Sequence, residues 1–345
     1  MPNKNLQQAK IAKKDEFYTQ LEDINRELVH YKEHFKGKTV LCNCDDPKVS
    51  NFFVYFVRNF AELGLKRLIT TCYKNCQPTL FSENKDEHAV WLDYRGGDDN
   101  NLDITAIQAT AMPLKGDGDF RSPECIRLLQ EADIVVTNPP FSLFREYVAQ
   151  LIRNDKKFLI IGNINQVATK EIFPLVKDNK IWWGVSTNGS NRWFQAPDYY
   201  IPKENAAGYK EVNGKKYLFV NGIMWYTNLE HNKRNLPIDL YKKYNKEEYP
   251  KYENYEAIDV NKTSEIPIDY DGIMGVPITF LDKYCPSQFE IIGIAQGDSG
   301  KELGLKPFPR ELKKLNPSLR DGQLYYMENG KPIKPYTRVL IRKKQ

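Results

Sequence analysis

The chain has 345 residues, of which 41% are hydrophobic and 12% aromatic, and this composition excludes a globally disordered protein. Its length predicts two domains rather than one. The formal net charge of +5 is a mild excess, compatible with a nucleic-acid partner but too small to identify one. We find no signal peptide and no apolar run long enough to span a bilayer, so we expect a cytoplasmic protein with no membrane partner.

The six cysteines do not have the spacing of a disulfide framework, which agrees with a reducing compartment. Cys42 with Cys44 and Cys72 with Cys76 follow two strands that can be neighbours, so four sulfurs can in principle approach one zinc ion. The spacing is poor for a zinc finger or ribbon, and free cysteine is a common small core residue. We therefore predict no metal site.

Apolar periodicity predicts alternating helices and strands through the first half of the chain. A helix over 21–35 would present Ile24, Leu28, Tyr31 and Phe35 on one face. Further strands are predicted over 39–44, 66–73, 133–137, 157–162 and 181–185, and further helices over 47–63, 123–130, 144–154 and 171–178. This alternation favours an α/β fold with a parallel sheet.

Two details of this first half can be checked directly. The helix after the first strand should be capped by Asp46, begin at Pro47 and end at Gly64. The polar stretch 74–104 reads as an excursion or a hairpin.

The pattern changes after about Arg192. Asn213-Gly214 and Asn329-Gly330 are strong signals for two β-hairpins, and the first leads into strands over 217–220 and 223–227. The tail over 324–342 reads as a hairpin with a basic end, and 237–270 reads as irregular surface. We place a domain boundary near residue 230.

The most informative feature is Asn138-Pro139-Pro140-Phe141, which directly follows an apolar strand. Two prolines remove two backbone N–H groups, so the turn offers carbonyl acceptors without competing donors. The Asn138 amide adds a side-chain acceptor, and Phe141 offers a flat face for stacking. These groups suit a site that holds a planar amine, whereas the alternative is an ordinary strand-to-helix turn.

This tetrapeptide resembles the catalytic motif of amino-group methyltransferases that use S-adenosylmethionine. The resemblance implies that a base is flipped out of a duplex and that its amine donates to the Asn138 side chain and the Pro139 carbonyl. Phe141 would stack on the base. Positioning and electrostatics would supply most of the barrier lowering, so no strong general base is required.

The same resemblance implies cofactor contacts at the first strand. Tyr18 and Thr19 match a segment that closes over the methionine end of the cofactor. Asp45 and Asp46, followed by Pro47, stand where most relatives have an acid and a glycine-rich turn, and this chain has no glycine there. The two carboxylates would face the methionine ammonium, although a capped helix start is an equal alternative for either one.

Two later segments complete the implied site. Asp119 and Phe120 match a segment that binds the cofactor adenine, with a flexible loop as the alternative. Trp193 or Phe194 would stack on the other face of the target base, although core packing of a strand is the favoured alternative. Strand 2 ends in Thr71-Cys72-Tyr73 rather than in an acid, so we assign no residue as the ribose ligand.

Together these motifs look like the EcoRI-type adenine-specific DNA methyltransferase family. The resemblance runs from about Lys13 to the end and includes Gly275-Val276-Pro277-Ile278-Thr279-Phe280-Leu281. It implies N6-adenine methylation of a short site in double-stranded DNA, paired with a restriction endonuclease, in a bacterium or a phage. It also implies a Rossmann-like methyltransferase sheet with helices on both faces over 1–230, and a smaller irregular target-recognition region over 231–345.

Two alternatives stay open from the sequence. One is an RNA or protein amide methyltransferase, since glutamine methylation also uses an Asn-Pro-Pro turn, usually with Tyr in place of Phe141. The other is a DNA-binding protein that has lost catalysis, which the unusual turn after strand 1 would allow. Cations and aromatics interleave over 241–244 and 331–344, as phosphate contacts require, but charge runs are usually solvated surface.

Overall fold

A computed structural model describes residues 19–73, 89–97, 102–186, 192–196, 208–315 and 317–344. Contacts divide the chain into two compact units. The first unit comprises Met1–Gln166 and Trp183–Glu230, and the second comprises Val167–Trp182 and His231–Gln345. Residues 167–182 therefore group with the C-terminal residues, which the sequence did not indicate.

Over 19–230, the described chain forms the following helices and strands, apart from one helix that is given with the second unit. The helices are α1 (Leu21–Leu28), α2 (Lys32–Phe35), α3 (Asn51–Arg58), α4 (Ile104–Gln108), α5 (Pro123–Glu131) and α6 (Phe144–Arg153). The strands are β1 (Thr39–Asn43), β2 (Arg67–Thr71), β3 (Val90–Tyr94), β4 (Met112–Pro113), β5 (Ile134–Thr137), β6 (Lys157–Asn163), β7 (Trp182–Trp183), β8 (Arg192–Gln195), β9 (Tyr209–Val212), β10 (Lys215–Val220) and β11 (Ile223–Thr227).

An eight-stranded mixed sheet has the order β4-β3-β2-β1-β5-β6-β11-β7. Strand β1 pairs in parallel with β2 and with β5, and β5 pairs in parallel with β6. Strands β3 and β11 run antiparallel to their neighbours β2 and β6. The predicted α/β fold with a large, partly parallel sheet is confirmed.

The core of the first unit is rich in aromatic side chains. The predicted face Ile24, Leu28, Tyr31 and Phe35 is fully buried, although a 3-10 turn over 29–31 separates α1 from α2. Helix α3 buries both faces, as its nearly continuous apolar sequence predicts. Such burial of large rings supplies most of the stabilisation of a domain of this size.

Both Asn-Gly hairpins are confirmed. Strands β9 and β10 pair antiparallel around Asn213-Gly214, where both residues have positive φ (50° and 74°). The same pair of positive φ values, 49° and 74°, occurs at Asn329-Gly330. Two consecutive positive φ values match the twist of a two-residue hairpin, which explains why this dipeptide predicts one.

The second unit is more regular than the sequence predicted. Its strands are β12 (Ile258–Asp259), β13 (Met274–Pro277), β14 (Phe289–Ala295), β15 (Tyr326–Glu328), β16 (Lys331–Ile333) and β17 (Arg338–Lys343), and its helices are α7 (Phe173–Lys177), α8 (Gly297–Glu302) and α9 (Arg310–Leu315). Four strands form a sheet in the order β12-β13-β17-β14.

The prediction that 324–342 is one hairpin is wrong in its last part. Only β15 and β16 form the hairpin, whereas β17 pairs with β13 and β14. The reason is its apolar run Val339-Leu340-Ile341, which is fully buried between those two strands. Arg338 at its start is also buried, and its Nε lies 2.8 Å from Oδ1 of the buried Asp259, which offsets the cost of burying the charge.

The polar stretch 74–104 contains a strand that the sequence did not reveal. Strand β3 pairs antiparallel with β2, and residues 74–88 between them lie outside the described ranges. Across the residues that the structure describes, no helix is long and apolar enough to cross a membrane.

Candidate active site

The turns that follow β1 and β5 lie side by side. The two strands are parallel, with Val40 paired to Ile134 and Leu41 to Val135, so their carboxyl ends meet at one edge of the sheet. The chain leaves β1 toward β2 on one side and returns to β5 on the other. A reversal of strand order of this kind opens a crevice at the carboxyl edge, where open α/β sheets bind ligands.

Hydrogen bonds join these two turns. The Thr137 hydroxyl reaches both the Asn43 carbonyl oxygen and Asp45 Oδ2, the latter at 2.5 Å. The Ser50 hydroxyl donates to Asp45 Oδ1 at 2.9 Å. Asp45 is buried, so both carboxylate oxygens need such donors. Asp45 therefore connects the last residue before the Asn138 turn to the residue that caps α3.

The turn after β1 adopts a conformation that usually requires glycine. Cys44 has φ 72°, in the left-handed region, and the Asp45 N–H donates to the Thr71 carbonyl at 3.0 Å. A non-glycine residue in this region costs about 1–2 kcal/mol. The glycine that the sequence lacks is thus replaced by a strained cysteine, which tertiary hydrogen bonds hold in place.

The predicted helix start at Asp46 and Pro47 is wrong. Asp46 Oδ1 accepts from the Lys48 N–H at 2.9 Å, which closes a turn rather than a helix. The cap is Ser50, whose Oγ accepts from the N–H groups of Phe52 and Phe53 at 3.1 and 3.4 Å. The reason is the Asp45–Ser50 hydrogen bond, which fixes the Ser50 hydroxyl at the amino end of α3.

Asn138-Pro139-Pro140-Phe141 begins directly at the end of β5. Pro139 is buried, the other three residues are half-buried, and no peptide bond of the described chain is cis. The Leu143 N–H donates to the Pro140 carbonyl at 2.9 Å, which closes a 3-10 turn over Phe141–Leu143. The motif is therefore a compact corner between β5 and α6.

Packing beneath this corner fixes where α6 begins. Phe144, its first residue, is fully buried and lies over Gly162 of β6. A Cβ atom at Gly162 would stand 2.4 Å from the Phe144 ring, so only glycine allows this approach. The Phe144 ring also packs on Tyr226, with centroids 5.0 Å apart.

Thr19 lies next to the turn after β1, whereas Tyr18 falls outside the described residues. The Asn51 amide donates to the Thr19 carbonyl at 2.7 Å, and Asn51 is the first residue of α3. Thr19 is 3% exposed and Thr71 is 1% exposed. Their hydroxyls have no hydrogen-bond partner among the described residues, and buried polar groups without partners often mark a ligand site.

Asp119 and Phe120 lie beside the ends of β1 and β2. Gly118 has φ +76°, and a Cβ atom there would stand 2.1 Å from the Cys72 carbonyl, so this loop presses against the end of β2. The Phe120 ring packs edge-on against Tyr147 at 5.0 Å, and the Tyr147 hydroxyl donates to the Asn43 side chain. Burial raises the pKa of Tyr147 well above its usual value, so the phenol stays protonated.

The Asp119 carboxylate is held by Arg121, a residue that the sequence did not single out. Arg121 Nε lies 2.8 Å from Asp119 Oδ1 and Nη2 lies 2.6 Å from Oδ2. Arg121 also reaches Glu146 of α6 at 3.2 Å. The hydrogen bonds to Asp119 raise the pKa of Arg121, so this clamp stays charged. Any further donor at Asp119 would share the carboxylate with Arg121.

The structure separates the two candidate stacking aromatics. Phe194 is 1% exposed and belongs to the core of the first unit, which is the alternative that the sequence favoured. Trp193 points to the other face of β8, where its ring packs 5.1 Å from Phe219. Phe194 would have to leave the core to meet a base, whereas Trp193 is half-buried.

The cysteines give no support to a zinc site. Over the described part of the chain, no group of three or more His, Cys, Asp or Glu residues is placed to hold a metal. Cys76 lies outside the described residues.

Sequence reasoning missed the residues that hold the site together, namely Asn43, Ser50, Thr137 and Tyr147. A polar residue at the last position of a buried strand is the one signal that points to Asn43 and Thr137, because a buried polar group must find a partner. Ser50 is a preferred N-cap residue type, but the Asp46-Pro47 pair gave a competing helix-start signal, and Tyr147 follows no local pattern.

Comparison with known proteins shows the family to which the chain belongs. A family model described as adenine-specific methyltransferase EcoRI matches residues 5–344. The Type II methyltransferase M.EcoRI of Escherichia coli is 46% identical over 345 residues, covering 99% of this chain and 97% of that protein.

Two mycoplasma proteins are also similar. Type II methyltransferase M.MgeORF184P of Mycoplasma genitalium is 38% identical over 98% of both chains, and M.MpnI of Mycoplasma pneumoniae is 38% identical over 82% of this chain and 83% of its own. No solved structure matched. The full-length match and the motif at the end of β5 lead to one conclusion: this chain belongs to the EcoRI family of adenine-specific methyltransferases.

Proposed function

We propose that this protein transfers a methyl group from S-adenosylmethionine to N6 of a flipped adenine within a short site of duplex DNA. One observation carries the proposal: the Asn138-Pro139-Pro140-Phe141 corner ends β5 beside the turn after β1, and Thr137 and Asp45 bond the two turns together. A nucleobase amine at the first turn and a methyl donor at the second would be neighbours.

The residues around the turn after β1 fit the cofactor. Buried hydroxyls without partners stand at Thr19 and Thr71, on either side of that turn, and a polar ligand would satisfy both. Asp119 and Phe120 would hold an adenine ring at the end of β2, and Tyr18 would close the opposite side. The group would supply an electrophilic methyl carbon on a positively charged sulfur.

Asp45, Asp46 and Pro47 take a different role in this proposal from direct binding. The oxygens of Asp45 hold Thr137 and Ser50, so Asp45 sets the shape of the turn, and Asp46 closes the turn with Pro47 at its centre. Backbone groups of this turn, rather than a free carboxylate, would then bind the methionine end of the cofactor.

The chemistry at the corner needs acceptors and no strong base. The Asn138 side chain and the Pro139 carbonyl would accept the two hydrogens of the adenine amine, which localises the nitrogen lone pair toward the methyl carbon. Pro139 and Pro140 contribute no N–H group, so no backbone donor of their own competes for that amine. Phe141 would stack on one face of the base, and Trp193 would approach the other face. The new N–C bond would form as the methyl–sulfur bond breaks, the sulfur would keep the electron pair and leave as a neutral thioether, and the methylated amine would give one of its protons to water.

The remaining parts of the proposal concern the partner and the architecture. The strand order around β1 and β5 supports a Rossmann-like methyltransferase sheet with helices on both faces. The C-terminal residues 231–345 would read the target sequence. Pairing with a restriction endonuclease is the biological setting that a Type II relative suggests, since the methylated site is then protected from cleavage.

The test is to identify the methylated nucleoside. The protein would be incubated with labelled S-adenosylmethionine and unmethylated genomic DNA, and the DNA would be digested to nucleosides and sequenced around the modified positions. We expect N6-methyladenine in one short sequence context. Label in cytosine, in RNA only or in protein only would contradict the proposal.

A further inference from the structure

A three-stranded sheet of the first unit has one buried face and one outward face. Its strand order is β8-β10-β9, with Phe219 paired to Trp193 and Tyr217 paired to Lys210. Because side chains alternate along each strand, Phe194 and Leu218 share the inner face, and both are buried. The outward face, which we call the aromatic–lysine face, consists of Trp193, Gln195, Lys210, Val212, Lys215, Tyr217 and Phe219.

This face combines exposed apolar area with positive charge. Phe219 is 38% exposed and Val212 is 46% exposed. Lys210 Nζ lies 4.1 Å from the Trp193 ring centroid and 5.6 Å from that of Tyr217. The rings thereby hold the ammonium group at the surface, which lowers the entropy lost when it meets an anion. The described residues of this face include two lysines and no acid.

The three-stranded sheet joins the eight-stranded sheet at the carboxyl edge of its parallel strands, where the Asn138 corner also lies. Strand β10 continues into β11 through Asn221-Gly222, and the Ile164 N–H donates to the Gly222 carbonyl at 2.6 Å. Ile164 follows β6, whose carboxyl end lies beside that of β5. Two residues later, the Gln166 amide lies 3.3 Å from the Phe141 carbonyl. The aromatic–lysine face therefore belongs to the edge where the substrate would bind.

We propose that the aromatic–lysine face contacts the sugar–phosphate backbone of duplex DNA next to the flipped adenine. Lys210 and Lys215 would each neutralise a phosphate, and the rings would pack against the sugars or the unstacked base. The charge of the face favours a polyanion over a protein partner, because a protein interface would leave two ammonium groups needing carboxylates. The inference rests on the proposed function only in taking DNA as the substrate.

The test compares two pairs of lysines. Lys210→Ala with Lys215→Ala removes the charge of the face. Lys66→Ala with Lys157→Ala is the matched control, because both residues are exposed and lie at the opposite, amino edge of the large sheet, just before and at the start of their strands. Each double variant lowers the net charge equally. Thermal melting verifies that both remain folded.

The readout is the affinity for a labelled short duplex of arbitrary sequence at several salt concentrations. Loss of two phosphate contacts should weaken binding about tenfold at physiological salt and lower the slope of log K against log salt by about 1.8. The control pair should change the slope little. Lys210→Arg with Lys215→Arg should restore it, since arginine also binds phosphate.

Equal behaviour of the two alanine pairs would overturn the inference, because the effect would then come from net charge alone. This failure is distinguishable from failure of the proposed function. If the wild-type protein methylates DNA but the two alanine pairs behave alike, only the DNA contact at the aromatic–lysine face is refuted. If the wild-type protein never methylates DNA, the proposed function is refuted.

Discussion

The two turns that form the site are built in opposite ways. The corner after β5 takes its shape from its own residues, since two prolines fix the backbone and remove two N–H donors. The turn after β1 has no such sequence: Cys44 is held in the left-handed region, while Asp45 binds the nearby Ser50 and also Thr137, which lies 92 residues further along the chain. Locally encoded chemistry is therefore visible in the sequence, and chemistry supported by tertiary contacts is not.

This difference predicts how each turn responds to change. A substitution in the corner should remove a group that contacts the substrate and leave the fold intact. A substitution in the turn after β1 should first change stability, because that turn is a junction between β1, β5 and α3.

The largest effect is expected for Asn138→Ala. It removes an acceptor that is used mainly in the transition state, so methyl transfer in a single turnover should slow about 10²–10³-fold. Affinity for DNA and for the cofactor should stay near that of the wild type, measured by fluorescence anisotropy and calorimetry. A variant that retains the full transfer rate would contradict the assigned role.

Asp45→Asn should destabilise the protein by about 2 kcal/mol in urea unfolding, because an amide cannot accept on both sides and hydrogen bonds to a buried carboxylate are strong. The matched control is Asp46→Asn, which keeps the oxygen that binds the Lys48 N–H and should stay within about 0.5 kcal/mol of the wild type. Similar losses in both variants would mean that Asp45 is not the junction.

Gly162→Ala should cost about 1–3 kcal/mol, because the new methyl group would overlap the Phe144 ring at the start of α6. It should also slow methyl transfer, since α6 begins right after the Asn138 corner. Gly116→Ala is the control, because a Cβ atom there meets no atom within 4 Å. If the Gly162 variant were as stable as the Gly116 variant, the packing account would be wrong.

The smallest effect is expected at Cys44. Relief of the left-handed strain should make Cys44→Gly about 1 kcal/mol more stable than Cys44→Ala in the same urea experiment. The comparison with alanine separates backbone strain from loss of the thiol. An alanine variant of equal or greater stability would show that φ 72° is not strained here.

The sequence predicted the parts of the fold that short-range patterns encode. The apolar strands β1, β5 and β6 and both Asn-Gly hairpins are confirmed, because each is specified within about ten residues. The start of α3 and the place of β17 were wrong. Ser50 was missed although it lies five residues from Asp45, because Asp46-Pro47 gives a competing helix-start signal. Strand β17 was misplaced because its partner strands β13 and β14, and Asp259, which pairs with Arg338, are far away in the sequence.

The same rule holds for the site. The Asn138 corner is visible in the sequence because its proposed function needs rare residues in a row. Tyr147 was missed because its partner Asn43 lies 104 residues away, whereas Arg121 lies only two residues from Asp119 and its spacing could have indicated the pair. Trp193 and Phe194 were predicted together as candidates for stacking on the target base. Side chains alternate along β8, so Trp193 lies on the outer face of the sheet and Phe194 lies in the core.

The most direct test of the central claim is an experimental structure with a non-reactive cofactor analogue and a DNA duplex that contains the target site. We expect the adenine N6 atom within about 3 Å of the Asn138 side-chain oxygen and the Pro139 carbonyl, with Phe141 against the base and the analogue beside Thr19 and Thr71. A flipped base or an analogue that makes no contact with residues 138–141 and 44–50 would contradict it.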